Sequence, residues 1–312
     1  MSEGKKHEVA VILINYNSSE YTQSCINSII SNTDSTLDYE IIVVDNASAV
    51  ADFKALKTYC DNHIFRKLKL VRSDINTGFG AGNMLGAHYS DATYLAFVNN
   101  DSLFTTDCLT IILEAMKANS EFGICGPLAH NEHGKLLPTI DHFASPVKEI
   151  FGRGFLEMIN SKKYPNRKKL YNLPKRAQFI SGSFMIVRTQ DFNAVGGFDT
   201  NIFLYYEETD LCRRLLKNNR FAYLIPSAKF MHYHGASTAK STDIKIELKI
   251  SLLYVIRKHN GFLAYKFMII YLCVRYFFSS IFKPKYWKLF YILLIGAPLS
   301  RSLKTQQKIR NQ

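Results

Sequence analysis

No C-x-x-C pair occurs among the six cysteines of this chain, Cys25, Cys60, Cys108, Cys125, Cys212 and Cys273. That excludes a zinc ribbon or a thioredoxin-type site, and the spacings suggest no disulfide framework. A reducing cytosol is the expected setting. The N-terminus lacks an apolar h-region followed by a cleavage site, because residues 1–8 lead straight into a strand-like run. No signal peptide is therefore expected. No Gly-Lys-Ser/Thr follows the glycine-rich stretch at 78–82, so there is no Walker A loop. That stretch follows the third strand and its glycine spacing is wrong, so it also makes a poor dinucleotide fingerprint. Acidic residues are scarce near the C-terminus. From residue 240 onward fourteen Lys and Arg face only Asp243 and Glu247, which accounts for +12 of the net charge of +13. The body is close to neutral, and the basic tail calls for an anionic partner, a nucleic acid or a membrane surface.

The 312 residues, 47% hydrophobic, suffice for one large domain or two modest ones with a real core. Short β-branched runs at 9–14, 39–44, 68–72 and 94–98 alternate with helix-like stretches. This alternation predicts an α/β chain with a doubly wound, mainly parallel sheet. Each run ends in a polar cluster: Asn15-Tyr16-Asn17, Asp45-Asn46, Asn76 to Asn83, and Asn99-Asn100-Asp101. The C-terminal edge of such a sheet is where ligands bind, so these clusters are expected to converge there. Residues 131–176 hold scattered Gly and Pro and a basic patch at 162–169, and are expected to form a long, partly mobile loop over the site.

Residues 262–282 are mostly apolar and aromatic but contain Lys266 and Arg275; a second apolar run covers 286–299. The first run reaches the length of a bilayer span. Two internal cations are costly at mid-bilayer, and with Lys283, Lys285 and Lys288 they fit helices lying in the interface. A true span or hairpin and a buried soluble helix are the alternatives. The chain thus divides into a body of residues 1–245 and a basic, apolar helical region of residues 246–312. The basic residues of the tail lie among apolar runs, so a membrane suits them better than a nucleic acid.

The densest chemical signal is Gly196-Gly197-Phe198-Asp199 followed by Glu207-Glu208-Thr209-Asp210-Leu211. Three carboxylates in four residues after an aromatic run repel one another and resist desolvation. Such a cluster suits a general base or a cation site; a charged first helical turn is the plainer alternative. Asp101 after a strand is either an N-cap or a ligand to Mg²⁺ or Mn²⁺. His232 and His234, near Gly235 and Ser237, are either satisfied polar residues or contacts to phosphate or metal. The stretch Gly78-Phe79-Gly80-Ala81-Gly82 is either a turn capping a helix or a close approach of backbone amides to a ligand.

In order along the chain, these pieces resemble the large family 2 of inverting glycosyltransferases with the GT-A fold, most closely its bacterial rhamnosyltransferase-like branch. The matches are Ile12-Leu13-Ile14-Asn15-Tyr16-Asn17, Val43-Val44-Asp45-Asn46-Ala47-Ser48, Asn76 to Asn83, Asn99-Asn100-Asp101 at the Asp-x-Asp position, Gly196 to Asp199, Glu207 to Arg214, and His232 to Ser237. They cover roughly residues 8–260. The resemblance implies a Rossmann-like GT-A sheet with apolar, amphipathic C-terminal helices. It implies a nucleotide-sugar donor held by Asn15, Tyr16, Asn17, Asp45, Asn76, Gly78, Gly82, Asn83 and Asn100, with Gly182 and Ser183 lining the sugar pocket. It implies Mg²⁺ or Mn²⁺ held by Asp101, with His232 near the same phosphates. Glu208 stands where the family usually has Asp and is the expected base, with Glu207 in reserve; Asn99 replaces the first Asp of the metal motif.

The implied reaction is transfer of a sugar, rhamnose from a dTDP donor by preference, to a hydroxyl of a glycan or lipid-diphosphate-linked acceptor in cell-surface polysaccharide synthesis of the O-antigen or capsule type. The alternatives are a galactosyl or N-acetylglucosaminyl transferase using a UDP donor, and a non-catalytic nucleotide-sugar-binding scaffold. The expected location is the cytoplasmic face of the inner membrane, held peripherally on an anionic surface.

Overall fold

The computed structural model describes residues 7–233 and 241–309. His234 and the continuation of its motif to Ser237 lie outside the described residues. The first half alternates as expected: β1 (Val9–Asn15), α1 (Ser19–Asn32), β2 (Tyr39–Asn46), α2 (Val50–Asn62), β3 (Leu68–Ser73), α3 (Gly78–His88) and β4 (Tyr94–Asn99). Then come β5 (Ser102–Phe104), α4 (Cys108–Ala118), β6 (Phe122–His130), β7 (Leu136–Leu137), β8 (Ile140–Asp141), α5 (Pro146–Phe151) and α6 (Arg153–Ile159). The remaining elements are β9 (Lys175–Ala177), β10 (Phe179–Ile180), β11 (Phe184–Arg188), α7 (Thr189–Ala194), α8 (Glu207–Lys217), β12 (Phe221–His232), α9 (Thr242–Phe282) and α10 (Trp287–Leu294).

The main sheet runs β3-β2-β1-β4-β11-β6-β12-β5. Its first four strands are parallel, β6 and β12 are parallel to each other, and the antiparallel β11 joins the two groups. The β1 sequence reads as a continuous apolar run because both of its faces are covered. Val9, Val11 and Leu13 enter one core with α1, α2 and α4, while Ala10 and Ile12 enter the other with α3, α7 and α8. The winding reverses between β1 and β4, and the crevice at such a reversal is a ligand position. Asn15 and the 99–101 turn end those two strands. All six cysteines are free.

Residues 131–176 contain more regular structure than expected. β7 pairs with β6, β8 with β10 and β9 with β12, so the segment is tied to the body at three points. Between them, Ser145 caps α5 by accepting a hydrogen bond from the Lys148 amide. Elements of two to seven residues are too short to show a hydrophobic period, so the sequence reads as loop.

The expected boundary at residue 245 falls inside α9. Ile246, Ile250, Leu253 and Ile256 form a third core with Ala144, Ile202 and the α10 residues Leu289, Ile292 and Leu293. Gly261, at φ 88° and ψ 175°, breaks α9 and separates this packed half from a second one. Beyond it Leu263 and Phe282 are each 83% exposed, and Phe267, Ile270, Val274 and Phe278 are exposed as well. By length and composition α9 could cross a membrane.

Candidate active site

At the C-terminal edge of the sheet, the Asn15 side-chain amide faces Asp45 Oδ1 at 3.0 Å, Ser48 Oγ at 3.1 Å and Asp52 Oδ2 at 2.9 Å. Its carbonyl accepts from Thr22 Oγ1 at 2.8 Å. The Asp45 carboxylate is fully enclosed: Oδ2 accepts from the Ser48 amide, and Arg72 Nε lies 3.5 Å away. Asp45 therefore braces the 46–49 turn from inside. Asn17 adopts a left-handed φ of 53° and accepts the Ala49 amide through Oδ1 at 2.7 Å; Ala47, at φ 64°, is left-handed too. Strained backbone of this kind collects at functional sites. Tyr16 is half-buried beside this turn. Asn100, also buried, donates to Ser18 Oγ and Thr22 Oγ1 and so links the β4 end to the β1 end.

Asp101 and His232 come together from distant parts of the chain. His232 Nε2 lies 3.1 Å from Asp101 Oδ1, both side chains are buried, and the Tyr233 amide donates to the Asp101 carbonyl. Pairing of β5 with β12 sets this register. Among the described residues no group of three or more acidic, His or Cys side chains is placed to hold a metal. A carboxylate and an imidazole side by side nevertheless suit a cation that takes its other ligands from a diphosphate and water.

The glycine-rich stretch differs from expectation: it is the first turns of α3, not a loop. A Cβ at Gly78 would lie 2.1 Å from the Phe203 carbonyl oxygen, and one at Gly82 would lie 3.2 Å from Ile14 Cδ1. The amides of Gly78 and Phe79 already donate to Asn76 Oδ1 and the Phe203 carbonyl. Asn83 is buried and donates to the Phe79 carbonyl. Of the three residues expected at the nucleotide, Gly78 thus lies against the Phe203 carbonyl, Gly82 against Ile14 of β1, and Asn83 is bonded within α3. Asn76, which also accepts from Asn46, holds the turn that precedes them.

The three carboxylates of α8 have separate surroundings. Tyr205 and Tyr206 both have φ 72°, a conformation disfavoured for bulky residues, and they fix where the helix begins. Asp210 is buried against Arg214 Nη2, Lys258 Nζ and His259 Nε2, each at 2.7 Å. Burial raises its carboxyl, but the His259 hydrogen bond and the Arg214 and Lys258 charges outweigh that and hold it well below the usual range. Glu207 is 2% exposed, and its Oε1 has no hydrogen-bond partner among the described residues. Burial, with the Glu208 charge beside it, pushes its carboxyl well above the usual range.

Glu208 instead faces a cavity of about 230 Å³ that it shares with Asp141, Lys148, Arg153, Arg167 and Ser181. Burial pushes its carboxyl up to about 7, with its own backbone amide and the Lys148 charge working against the rise. The 181–183 turn joins this cavity to the metal-type pair. Ser181 lines the cavity, Ser183 donates to Ser181 Oγ, and the Ser183 carbonyl accepts the Asn99 amide, two residues before Asp101. Gly182 lies against Phe79, where a Cβ would be 3.3 Å from Cζ.

Residues 10–196 match the glycosyl transferase family 2. The chain belongs to that family. This family 2 glycosyltransferase is similar to the rhamnosyltransferase WbbL of Escherichia coli K12, at 26% identity over 80% of this chain and 93% of that protein. It is also similar to the N-acetylglucosaminyl-diphospho-decaprenol L-rhamnosyltransferase of Mycobacterium tuberculosis, at 23% identity over 63% of this chain and 69% of that one. In fold it resembles the mannosyltransferase PcManGT of Pyrobaculum calidifontis in complex with GDP-Man and Mn²⁺, with a TM-score of 0.58 and 14% identity over 96% of this chain and 88% of that one. The fold is GT-A.

For a family 2 glycosyltransferase the arrangement offers a carboxylate that exchanges a proton near neutrality, in a cavity with cations, one short turn from an acid–imidazole pair. The sequence did not reveal Ser48, Asp52 and Arg72, which hold Asn15 and Asp45, or Lys148 and Arg153, which face Glu208. Of the basic patch at 162–169, Arg167 is the residue that lines the cavity. Asp210, first read with its neighbours as one cluster, joins α8 to α9.

Proposed function

We propose that the enzyme moves a sugar, rhamnose from a dTDP donor, to a hydroxyl of a lipid-diphosphate-linked glycan in cell-surface polysaccharide synthesis, with inversion at the anomeric carbon. The placement of Glu208 carries the reading: a carboxylate tuned to neutrality in a cavity beside the sheet's ligand edge. Glu208 takes the proton of the acceptor hydroxyl, and that oxygen attacks the anomeric carbon from the face opposite the leaving group. Asp101 and His232 would hold Mg²⁺ or Mn²⁺, which when bound supplies positive charge to the departing diphosphate. Asn15, Asp45 and Asn100 keep the 16–18 and 46–49 turns in place for the nucleotide, and Gly182 and Ser183 flank the sugar. The names of the two relatives support rhamnose and, for the mycobacterial one, a polyprenyl diphosphate acceptor.

The full chain is to be incubated with dTDP-rhamnose, UDP-galactose or UDP-N-acetylglucosamine, a divalent cation and a lipid-diphosphate-linked glycan acceptor, and nucleoside diphosphate release measured. Release is expected from dTDP-rhamnose, stopped by EDTA, restored by Mg²⁺ or Mn²⁺, and lowered about 100-fold or more in Asp101→Ala. Release from a UDP sugar alone would replace the donor. Silence with every donor would sink the transferase reading.

The exposed apolar side chains after Gly261, with Lys266, Arg275, Lys283, Lys285 and Lys288 among and beside them, support peripheral attachment to the cytoplasmic face of the inner membrane. Sedimentation with vesicles containing anionic phospholipid is expected to exceed that with neutral vesicles and to weaken as salt rises. Leu263→Glu with Phe278→Glu is expected to release the protein from both. Equal recovery of this variant and the parent in the vesicle pellet would contradict attachment through this face.

A further inference from the structure

The cavity at Glu208 carries more positive charge than its own carboxylates require. Arg153 grips Asp141 through Nε at 2.8 and 2.7 Å and through an Nη2 contact at 2.7 Å, and Arg167 Nη1 lies 3.7 Å from the same carboxylate. Asp141 is thus shared by two guanidinium groups that both line the cavity. Lys148 is a third cation there and is itself buried. Its ammonium donates to the His142 carbonyl and lies 5.8 Å from the Phe179 ring centroid, and among the described residues it forms no ion pair. Burying an ammonium without a carboxylate partner is costly unless another anion completes its surroundings. Guanidinium forks match phosphate oxygens two at a time, so phosphate is the anion these cations suit.

The cavity also touches the membrane-type helix. Leu248 of α9 forms part of its wall, and the same helix carries exposed apolar side chains from Phe262 onward. At the helical rise of about 1.5 Å per residue, the two positions are roughly 20 Å apart along the chain axis.

We propose that this cavity is the phosphate subsite of the acceptor: a diphosphate bearing an apolar chain seats against Lys148, Arg153 and Arg167, and the sugar it carries presents its hydroxyl to Glu208. This rests on the transferase reading above and adds where the acceptor's charge is held. The donor's diphosphate belongs at Asp101 and His232, beyond the 181–183 turn, so the enzyme keeps two anion sites apart.

Calorimetric titration of the full chain in detergent and EDTA tests this, with farnesyl diphosphate, farnesol and dTDP as probes. Farnesyl diphosphate is expected to bind about tenfold or more tighter than farnesol. The double variant Arg153→Gln, Arg167→Gln, altered at partly exposed side chains, should lose that preference while its dTDP affinity stays within about twofold of the parent. Arg153→Lys with Arg167→Lys should keep a preference, because charge remains. Equal binding of the two farnesyl probes by the parent would overturn the subsite, as would a preference that survives the glutamine pair. A parallel fall in dTDP affinity would assign these cations to the donor instead. The transferase reading is judged separately, by nucleoside diphosphate release from the donor in the presence of a glycan acceptor, a readout the binding titration does not use.

Discussion

Glu208→Gln is expected to lower kcat about 10²- to 10⁴-fold while leaving nucleoside diphosphate binding near that of the parent, the loss typical of a missing general base. The amide keeps the size and hydrogen-bonding reach of the side chain but cannot accept the hydroxyl proton. The parent should also show a pH signature. Burial sets the Glu208 carboxyl at about 7, so the ionised base, and with it kcat, increases as pH rises through about 7 and levels off above. That limb should vanish from the residual rate of the variant. Glu207→Gln is the companion measurement. Its carboxyl packs under α3, with Cγ 3.4 Å from where a Gly80 Cβ would stand, and one oxygen lacks a partner among the described residues. It should lose far less turnover and should melt at a higher temperature near pH 8, because burial holds this acid protonated in the folded parent more than in the unfolded chain. Near-normal turnover in Glu208→Gln, with collapse in Glu207→Gln, would transfer the base to Glu207.

Asp210→Ala is expected to cost about 3–5 kcal/mol of unfolding free energy, because it leaves the Arg214 and Lys258 cations crowded beside His259 without their shared carboxylate. Urea unfolding followed by circular dichroism would show it, and a loss below about 1 kcal/mol would contradict the structural role. The sign of the pH effect follows from the depressed carboxyl. The stabilisation is complete above the unfolded carboxylate value of about 4 and is lost as pH falls from there toward the lower folded value. Asp210→Ala should therefore flatten the acid side of the stability profile. Since Lys258 also reaches Asp199 at 2.6 Å, the same cluster ties the 199–206 segment to the helix bearing the base.

The strands and their polar ends were legible because the parallel strands are buried on both faces and stop at residues that cannot stay in a core. Asn15, Asp45 and Asp101 stand where the runs at 9–14, 39–44 and 94–98 place them. The joining of Asp101 to His232 depends on β5–β12 pairing across 131 positions of chain, which no local pattern reveals. The glycines of α3 look like a loop because glycine is a poor helix former; contacts with Ile14 and Phe203 decide otherwise. The cavity's cations stayed hidden because α5 and α6 have six and seven residues, less than two turns each. The acid cluster was visible as a cluster, but its division into the cavity-facing Glu208, a buried acid and an ionic tie required the packing of α9.

Gly261 follows His259, which contacts Asp210, by two residues, and no atom of the described residues comes within 4 Å of where its Cβ would stand. The helix that grips the base-bearing α8 therefore turns toward its apolar half at one unbraced corner. With that half resting on a bilayer, as proposed above, this corner and the length of helix on either side would set how far Glu208 stands from the lipid plane.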